Sequence, residues 1–227
     1  GKGCVLIGAD YSQIELRVLA HVSGDERLRQ AFREGKDVHA ATAQELFGSA
    51  DDEHRRRAKA VNFGIIYGMS GFGLAQRLGI DQNTAKEYID LYFSRYPGVK
   101  RYLDGTLEEA RKTGFVKTMF GRRRYVPDVK SKNRVISGAA ERVAVNAPIQ
   151  GSAADLIKLA MIRVSRRLKG MKTLLILQVH DELVLEAPRK EAAAAEKIVR
   201  EEMEGVHAME VPLRVDVSSG VNWAELS

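Results

Sequence analysis

Apolar strands open this chain and nearly close it, and a long stretch of helical pattern lies between them. Cys4-Val5-Leu6-Ile7-Gly8-Ala9 leads into Asp10, and Leu174-Leu175-Ile176-Leu177 and Leu183-Val184-Leu185 flank Asp181-Glu182. A lone strand or a lone hairpin is marginal in water. The terminal strands are therefore expected to form one sheet-based domain, with the middle of the chain as a helical insertion packed against it. That arrangement puts Asp10 and Asp181 in the same domain.

Three zones differ in apolar period. In the first, Ile14, Leu16, Val18 and Leu19 mix strand and helix spacing, and we read a strand, a turn at Asp10 to Gln13, then a helix. The middle zone, from about Arg27 to Arg134, is helical by pattern. Val38 to Phe47, Arg55 to Tyr67, Thr84 to Tyr96 and Val99 to Thr113 carry apolar residues at three and four spacing, punctuated by Gly48, Gly68, Pro97 and Gly114. The last zone predicts a helix over about Gly138 to Leu168, a hairpin around Asp181, an Ala/Glu-rich helix from Lys190 to Glu204 and a closing strand Leu213 to Val217.

Composition narrows the partners. With 36 Lys and Arg against 30 Asp and Glu in 227 residues, the net charge of +6 favours a polyanionic partner without identifying one. The single Cys4 excludes an internal disulfide and, inside an apolar strand, is expected to be a buried small hydrophobe in a reducing compartment. There is no run of about eighteen apolar residues and no leader pattern. A cytoplasmic protein without a membrane partner is expected. The chain starts at Gly1 without a methionine and enters a strand at once, as if cut from a longer protein.

A strand is stiff, so acids at strand ends can be held at fixed separation and share divalent metal ions. Taken singly, Asp10 and Asp181 read more readily as ordinary turn aspartates. The segment from Arg55 to Tyr67 adds a second signal. Arg55, Lys59, Phe63 and Tyr67 recur every four residues and drift about 40° per step, so they share a stripe roughly 120° wide. One end is cationic and the other aromatic, which suits a ligand with a charged end and a flat or sugar-like end. The alternative is an amphipathic helix with buried aromatics and outward-reaching cations. The glycines of Tyr67-Gly68-Met69-Ser70-Gly71-Phe72-Gly73 imply a tight turn or a close backbone approach.

Asp10-Tyr11-Ser12-Gln13-Ile14-Glu15-Leu16-Arg17, Arg55-Arg56-Arg57-Ala58-Lys59-Ala60-Val61-Asn62-Phe63-Gly64-Ile65-Ile66-Tyr67-Gly68 and Gln178-Val179-His180-Asp181-Glu182 resemble, in order, the three signature motifs of the family A DNA polymerases. Asn146-Ala147-Pro148-Ile149-Gln150-Gly151-Ser152-Ala153-Ala154-Asp155 resembles a further family segment. The resemblance implies an α+β fold: a small antiparallel sheet (palm, 1–20 and 136–227), a large helical insertion (fingers, 21–135), and no thumb in this chain.

The resemblance also implies roles. Asp10 and Asp181, with the Tyr11 carbonyl, would hold two Mg²⁺ ions, replaceable by Mn²⁺; Glu182 would support them. Arg55, Lys59 and His39 match triphosphate contacts, with Lys59 also catalytic. Phe63 matches the residue packing near the deoxyribose, Tyr67 the one beside the templating base, and Glu15 the side chain that crowds the sugar 2′ position. Gln13 belongs to the nucleotide-binding set. Arg142, Asn146 and Gln150 match minor-groove contacts, and His180 a contact to the primer end. The clusters Arg122-Arg123-Arg124, Lys130 to Arg134 and Arg163 to Lys172 are candidate phosphate contacts or plain solvated charge. The implied activity is template-directed DNA synthesis for replication or repair. The partners would be primer-template DNA and deoxynucleoside triphosphates, acted on by a monomer in the cytoplasm, at the nucleoid if the source is bacterial. A two-metal nuclease and a noncatalytic DNA-binding remnant are the alternatives.

Overall fold

The computed structural model describes residues 1–226. Two compact units are distinguished: Gly1–Ile14 with the chain from Ala153 onward, and Glu15–Ser152.

The first unit is built on a four-stranded antiparallel sheet of order β4-β5-β1-β6, from β1 (Cys4–Tyr11), β4 (Leu174–Val179), β5 (Glu182–Pro188) and β6 (Val215–Gly220). β1 is central, with Ile7 opposite Leu185, Ala9 opposite Leu183 and Tyr11 opposite Val215. Successive side chains alternate between faces. Ile7, Ala9, Tyr11, Leu183, Leu185 and Val215 are buried on the face covered by α9 (Ala192–Glu204), where Ala195, Val199 and Met203 lie inside. The Tyr11 hydroxyl donates to the Met203 carbonyl at 2.7 Å, tying the central strand to that helix. Gly8 and Asp10 fall on the opposite face by the same alternation.

Four details depart from the sequence reading. β1 runs through Asp10 and Tyr11, so the turn is only Ser12 and Gln13. The closing strand is Val215–Gly220, later than expected. Cys4 is only half-buried. Leu174, Ile176 and Leu177 of β4, apolar by sequence, are each more than 40 % exposed, because β4 is an edge strand interrupted by a bulge between Leu175 and Leu177.

The second unit is mainly helical: α1 (Ile14–Ser23), α2 (Glu26–Arg33), α3 (Val38–Phe47), α4 (Asp52–Ile66), α5 (Gly71–Leu78), α6 (Gln82–Arg95) and α7 (Pro97–Thr113), with the first part of α8 (Arg134–Arg167). Local chemistry sets the ends. Asp37, Asp51, Ser70 and Asp81 each cap a helix N-terminus by accepting from backbone N–H groups of the first turn. The expected helices are present, three of them beginning two to three residues early, because an aspartate cap or Pro97 at the first position starts them. The middle zone is not wholly helical: β2 (Phe115–Lys117) and β3 (Arg123–Tyr125) form a hairpin that three-residue strands are too short to reveal by periodicity.

That hairpin rests on α8. The loop after β2 approaches so closely that a Cβ on Gly151 would lie 2.6 Å from Thr118 Cγ2. Ser152 Oγ accepts from the Met119 N–H at 2.9 Å, and Arg122 donates to the Gly151 carbonyl at 3.0 Å. Arg123 lies 4.8 Å over the Phe115 ring, Arg163 donates to the Gly205 carbonyl, and Arg167 pairs with Glu201 and Glu202. Several cations of the basic clusters therefore hold the fold itself.

Tyr92 is fully buried and its hydroxyl has no partner among the described residues. An unsatisfied buried hydroxyl costs free energy, whereas Phe fills the same volume. Tyr92→Phe is expected to stabilise the fold by about 1 kcal/mol, read as a raised denaturant midpoint at unchanged slope.

Candidate functional site

In the first unit, three strands bring acids to one sheet face. Asp10 lies directly opposite Glu182 of β5 and Asp216 of β6 in the register, and directly opposed residues share a face. Asp181 sits in the two-residue turn joining β4 to β5, and its carbonyl accepts from the Tyr11 N–H at 3.2 Å. The Asp10 carboxyl is pushed up to about 6, first by partial desolvation and then by Asp181, Glu182 and Asp216, although the residue keeps solvent contact. Asp10, Val179, His180, Asp181, Glu182, Trp223 and Leu226 line a cleft of about 310 Å³.

Backbone strain collects at this edge. Among the described residues only Gln13 (φ 57°) and His180 (φ 53°) are non-glycine residues with left-handed backbone. One follows the end of β1 and the other directly precedes Asp181. Such conformations cost about 1 kcal/mol or more for a residue bearing a Cβ and persist where a fold over-determines them, commonly at functional sites.

Sequence reasoning missed two residues here. Asp216 is the third acid opposing or adjoining Asp10, and nothing in Val215-Asp216-Val217 beyond strand alternation could have pointed to it. Gly8 lies beneath the Glu182 carboxylate: a Cβ there would sit 2.7 Å from Glu182 Oε1. A glycine two residues before an acid on a central strand was the available signal.

The metal implied by the resemblance can be tested against these residues. No three His, Cys, Asp or Glu side chains converge as a ready-made cage among the described residues. Hard carboxylate oxygens gathered on one sheet face are the donor type a divalent cation such as Mg²⁺ takes. That ion is usually held by one or two carboxylates and completes its shell with water and phosphate. The donor set fits.

In the second unit, α4 carries Arg55, Lys59 and Phe63, and Tyr67 is the residue that ends it. Arg55 and Lys59 are exposed; Phe63 and Tyr67 are half-buried and their rings stack at 6.1 Å. Arg55 Nε donates to Asp37 Oδ2 at 2.6 Å, and against its burial this ion pair holds the Asp37 carboxyl below its usual value. Lys59 has no ion-pair partner among the described residues. His39 of α3 is buried, its ring 5.9 Å from Phe63. Half-buried aromatics beside exposed cations satisfy both readings of the stripe.

Glu15 and Gln150 lie beside the Tyr67 hydroxyl. The Tyr67 hydroxyl is raised first by burial and then by Glu15, with Gln150 acting the other way. Gly68 takes a left-handed conformation against Arg142, whose Cα would lie 3.4 Å from an added Cβ, so the expected close approach is to α8. Arg142, Asn146 and Gln150 all lie on α8; Arg142 and Gln150 are exposed, and Asn146 is half-buried with its Oδ1 unpartnered among the described residues.

Sheet acids in one unit and a cationic-aromatic helix in the other are what the polymerase resemblance anticipates, and the model of DNA polymerase family A matches residues 1–225. The chain belongs to that family. It is 55 % identical over 229 residues to DNA polymerase I of Caldicellulosiruptor bescii, covering 98 % of this chain and 27 % of that protein. It is 50 % identical over 226 residues to the thermostable DNA polymerase I of Thermus aquaticus, with the same shares. The chain thus spans about a quarter of these relatives. Among solved structures, the POL domain of Pol1 from M. smegmatis, in complex with DNA primer-template and dNTP, superposes with a TM-score of 0.95 at 46 % identity, covering 100 % of this chain and 41 % of that one.

Proposed function

We propose that this chain is the palm and fingers portion of a template-directed DNA polymerase, adding deoxynucleoside triphosphates to a primer 3′ hydroxyl in replication or repair. The observation that carries this reading is the acid cluster at Asp10, which faces Glu182 and Asp216 across the sheet beside the Asp181 turn and the left-handed His180. The M. smegmatis POL domain is complexed with primer-template and dNTP, and the same partners are proposed here, with a monomer acting in the cytoplasm. The palm would be residues 1–20 and 136–227, and the fingers 21–135.

Asp10 and Asp181, with the Tyr11 carbonyl, would hold two Mg²⁺ ions, and Glu182 and Asp216 would add negative charge around them. Bound there, the metals supply the charge that makes a 3′ hydroxyl acidic and neutralises the leaving pyrophosphate. Arg55 and Lys59 bind phosphate oxygens, and His39 offers a further contact. Gln13 belongs to the same nucleotide-binding set. Phe63 packs on the deoxyribose, Glu15 crowds its 2′ position, and Tyr67 meets the templating base. Arg142, Asn146 and Gln150 contact the minor groove, where acceptors common to all base pairs allow geometry to be tested without reading sequence. His180 contacts the primer end.

Primer extension by the complete protein with Mg²⁺ and single nucleotides tests the reading. Template-matched addition supports it, strand shortening identifies a nuclease, and a gel shift without turnover identifies a binding remnant. Phe63→Tyr adds a hydroxyl that can replace the missing 3′ hydroxyl of a dideoxynucleotide. Incorporation of dideoxynucleotides relative to deoxynucleotides is expected to rise on the order of 10- to 100-fold, the worth of one hydrogen bond to a charged group.

A further inference from the structure

Behind the α4 stripe lies a largely buried polar network. His39, Thr42 and Asn62 are 2 %, 0 % and 0 % exposed. A buried amide is tolerated only when hydrogen-bonded, and its partners fix its orientation. Thr42 Oγ1 has two acceptors in reach, the Val38 carbonyl at 2.8 Å and Asn62 Oδ1 at 3.3 Å, and its single hydrogen goes to the nearer one. It therefore accepts from Asn62 Nδ2 at 3.1 Å and from the Tyr96 hydroxyl at 3.4 Å. The second amide hydrogen of Asn62 points at His39 Nδ1, 3.0 Å away. That nitrogen must carry a lone pair, so the ring proton resides on Nε2, which has no partner among the described residues.

We propose that Asn62 is a positioning residue that locks His39 as the Nε2–H tautomer, so that a neutral imidazole presents a donor to a phosphate oxygen of the bound nucleoside triphosphate. This deepens the polymerase reading above and rests on it. The charges facing His39 agree with a neutral ring. Burial pushes His39 down to about 4, Lys59 and Arg55 push the same way, and only Asp37, already paired with Arg55, opposes them. An imidazolium would gain charge for the triphosphate but would stand, partly desolvated, beside two cations. The neutral tautomer supplies direction at no such cost, leaving charge neutralisation to Lys59 and Arg55.

Two measurements test this. In protein labelled with ¹⁵N at its five histidines, with His39 assigned through His39→Gln, Nδ1 is expected to be unprotonated and Nε2 protonated from about pH 6 to about pH 8. A protonated Nδ1 overturns the proposal without any variant or ligand. Asn62→Asp keeps the shape but offers only acceptors, which draws the proton to Nδ1. Deoxynucleotide Kd, measured for the complete protein on a dideoxy-terminated primer-template, is expected to be flat with pH in the wild type. In the variant it should weaken about tenfold as pH rises and the ring gives up its Nε2 proton. A moved proton with an unchanged Kd profile overturns the coupling. Where Asn62→Asp does not fold, Asn62→Ala is expected to mix the tautomers and weaken Kd severalfold with no pH slope; unmixed tautomers overturn the proposal. An unaltered Kd in His39→Ala removes the phosphate contact, and the proposal with it, while template-matched extension by the same variant leaves the polymerase reading standing.

Discussion

Asp10→Asn is expected to abolish nucleotide incorporation, by on the order of 10³-fold or more, while leaving binding of primer-template DNA largely intact. The amide keeps the size of the side chain and removes the charge that would hold a divalent ion, so a gel shift should survive where extension fails. Normal incorporation by the variant would sink the metal assignment. The same change carries an opposite expectation for stability. In the folded state the Asp10 carboxyl titrates near 6, above its unfolded value, because desolvation and then Asp181, Glu182 and Asp216 disfavour its charge. A raised carboxyl contributes stability while protonated, and that contribution is lost as pH rises through about 6. Asparagine mimics the protonated form. The variant should therefore melt above the wild type at pH 8 in chelator, the gap closing toward pH 5. Added Mg²⁺ should raise the wild type and not the variant. Clustered negative charge at the end of a central strand opposes folding unless a bound cation offsets it.

Lys59→Met is expected to lower kcat by about 10²- to 10³-fold, the usual loss when one preorganised charge aimed at developing negative charge is removed. The reason lies in what the neighbours do. Arg55 is engaged by Asp37 at 2.6 Å, whereas Lys59 is exposed and has no ion-pair partner among the described residues, so its charge is uncommitted within the fold. Methionine retains the length and the apolar stem. Melting temperature should stay within a degree or two, since an exposed, unpaired cation contributes little to stability. Comparable losses of stability and activity would instead make Lys59 a structural residue. Arginine at this position should recover part of the rate, because it restores charge but not the compact ammonium.

Much of this could be read from the residues. The α3 bounds, Val38 to Phe47, agree with the sequence reading to the residue, because Asp37 caps one end and Gly48 takes the left-handed conformation at the other. The four-residue recurrence of Arg55, Lys59, Phe63 and Tyr67 survives in α4 even though the helix ends one residue before Tyr67. Where the reading failed, the missing information was non-local. The β2–β3 hairpin is too short for a period, and its place depends on Gly151 and Ser152, which lie far along the chain. β4 is apolar in every residue from Leu174 to Leu177, yet its edge position leaves most of them exposed. The clustered arginines looked alike in sequence, but Arg122 and Arg163 are held by backbone carbonyls and Arg167 by two glutamates.

By itself the sequence determined which residues carry charge, where helices begin and end, and which motifs are present, because caps, glycines and apolar spacing act over a few residues. Only the tertiary structure decided that Asp216 joins Asp10 and Glu182 on one sheet face, that Gly8 makes room for Glu182, and that Asn62 lies within hydrogen-bond reach of His39 Nδ1. Strand register and buried hydrogen-bond direction arise between segments as much as two hundred residues apart, and no local pattern encodes a partner at that distance.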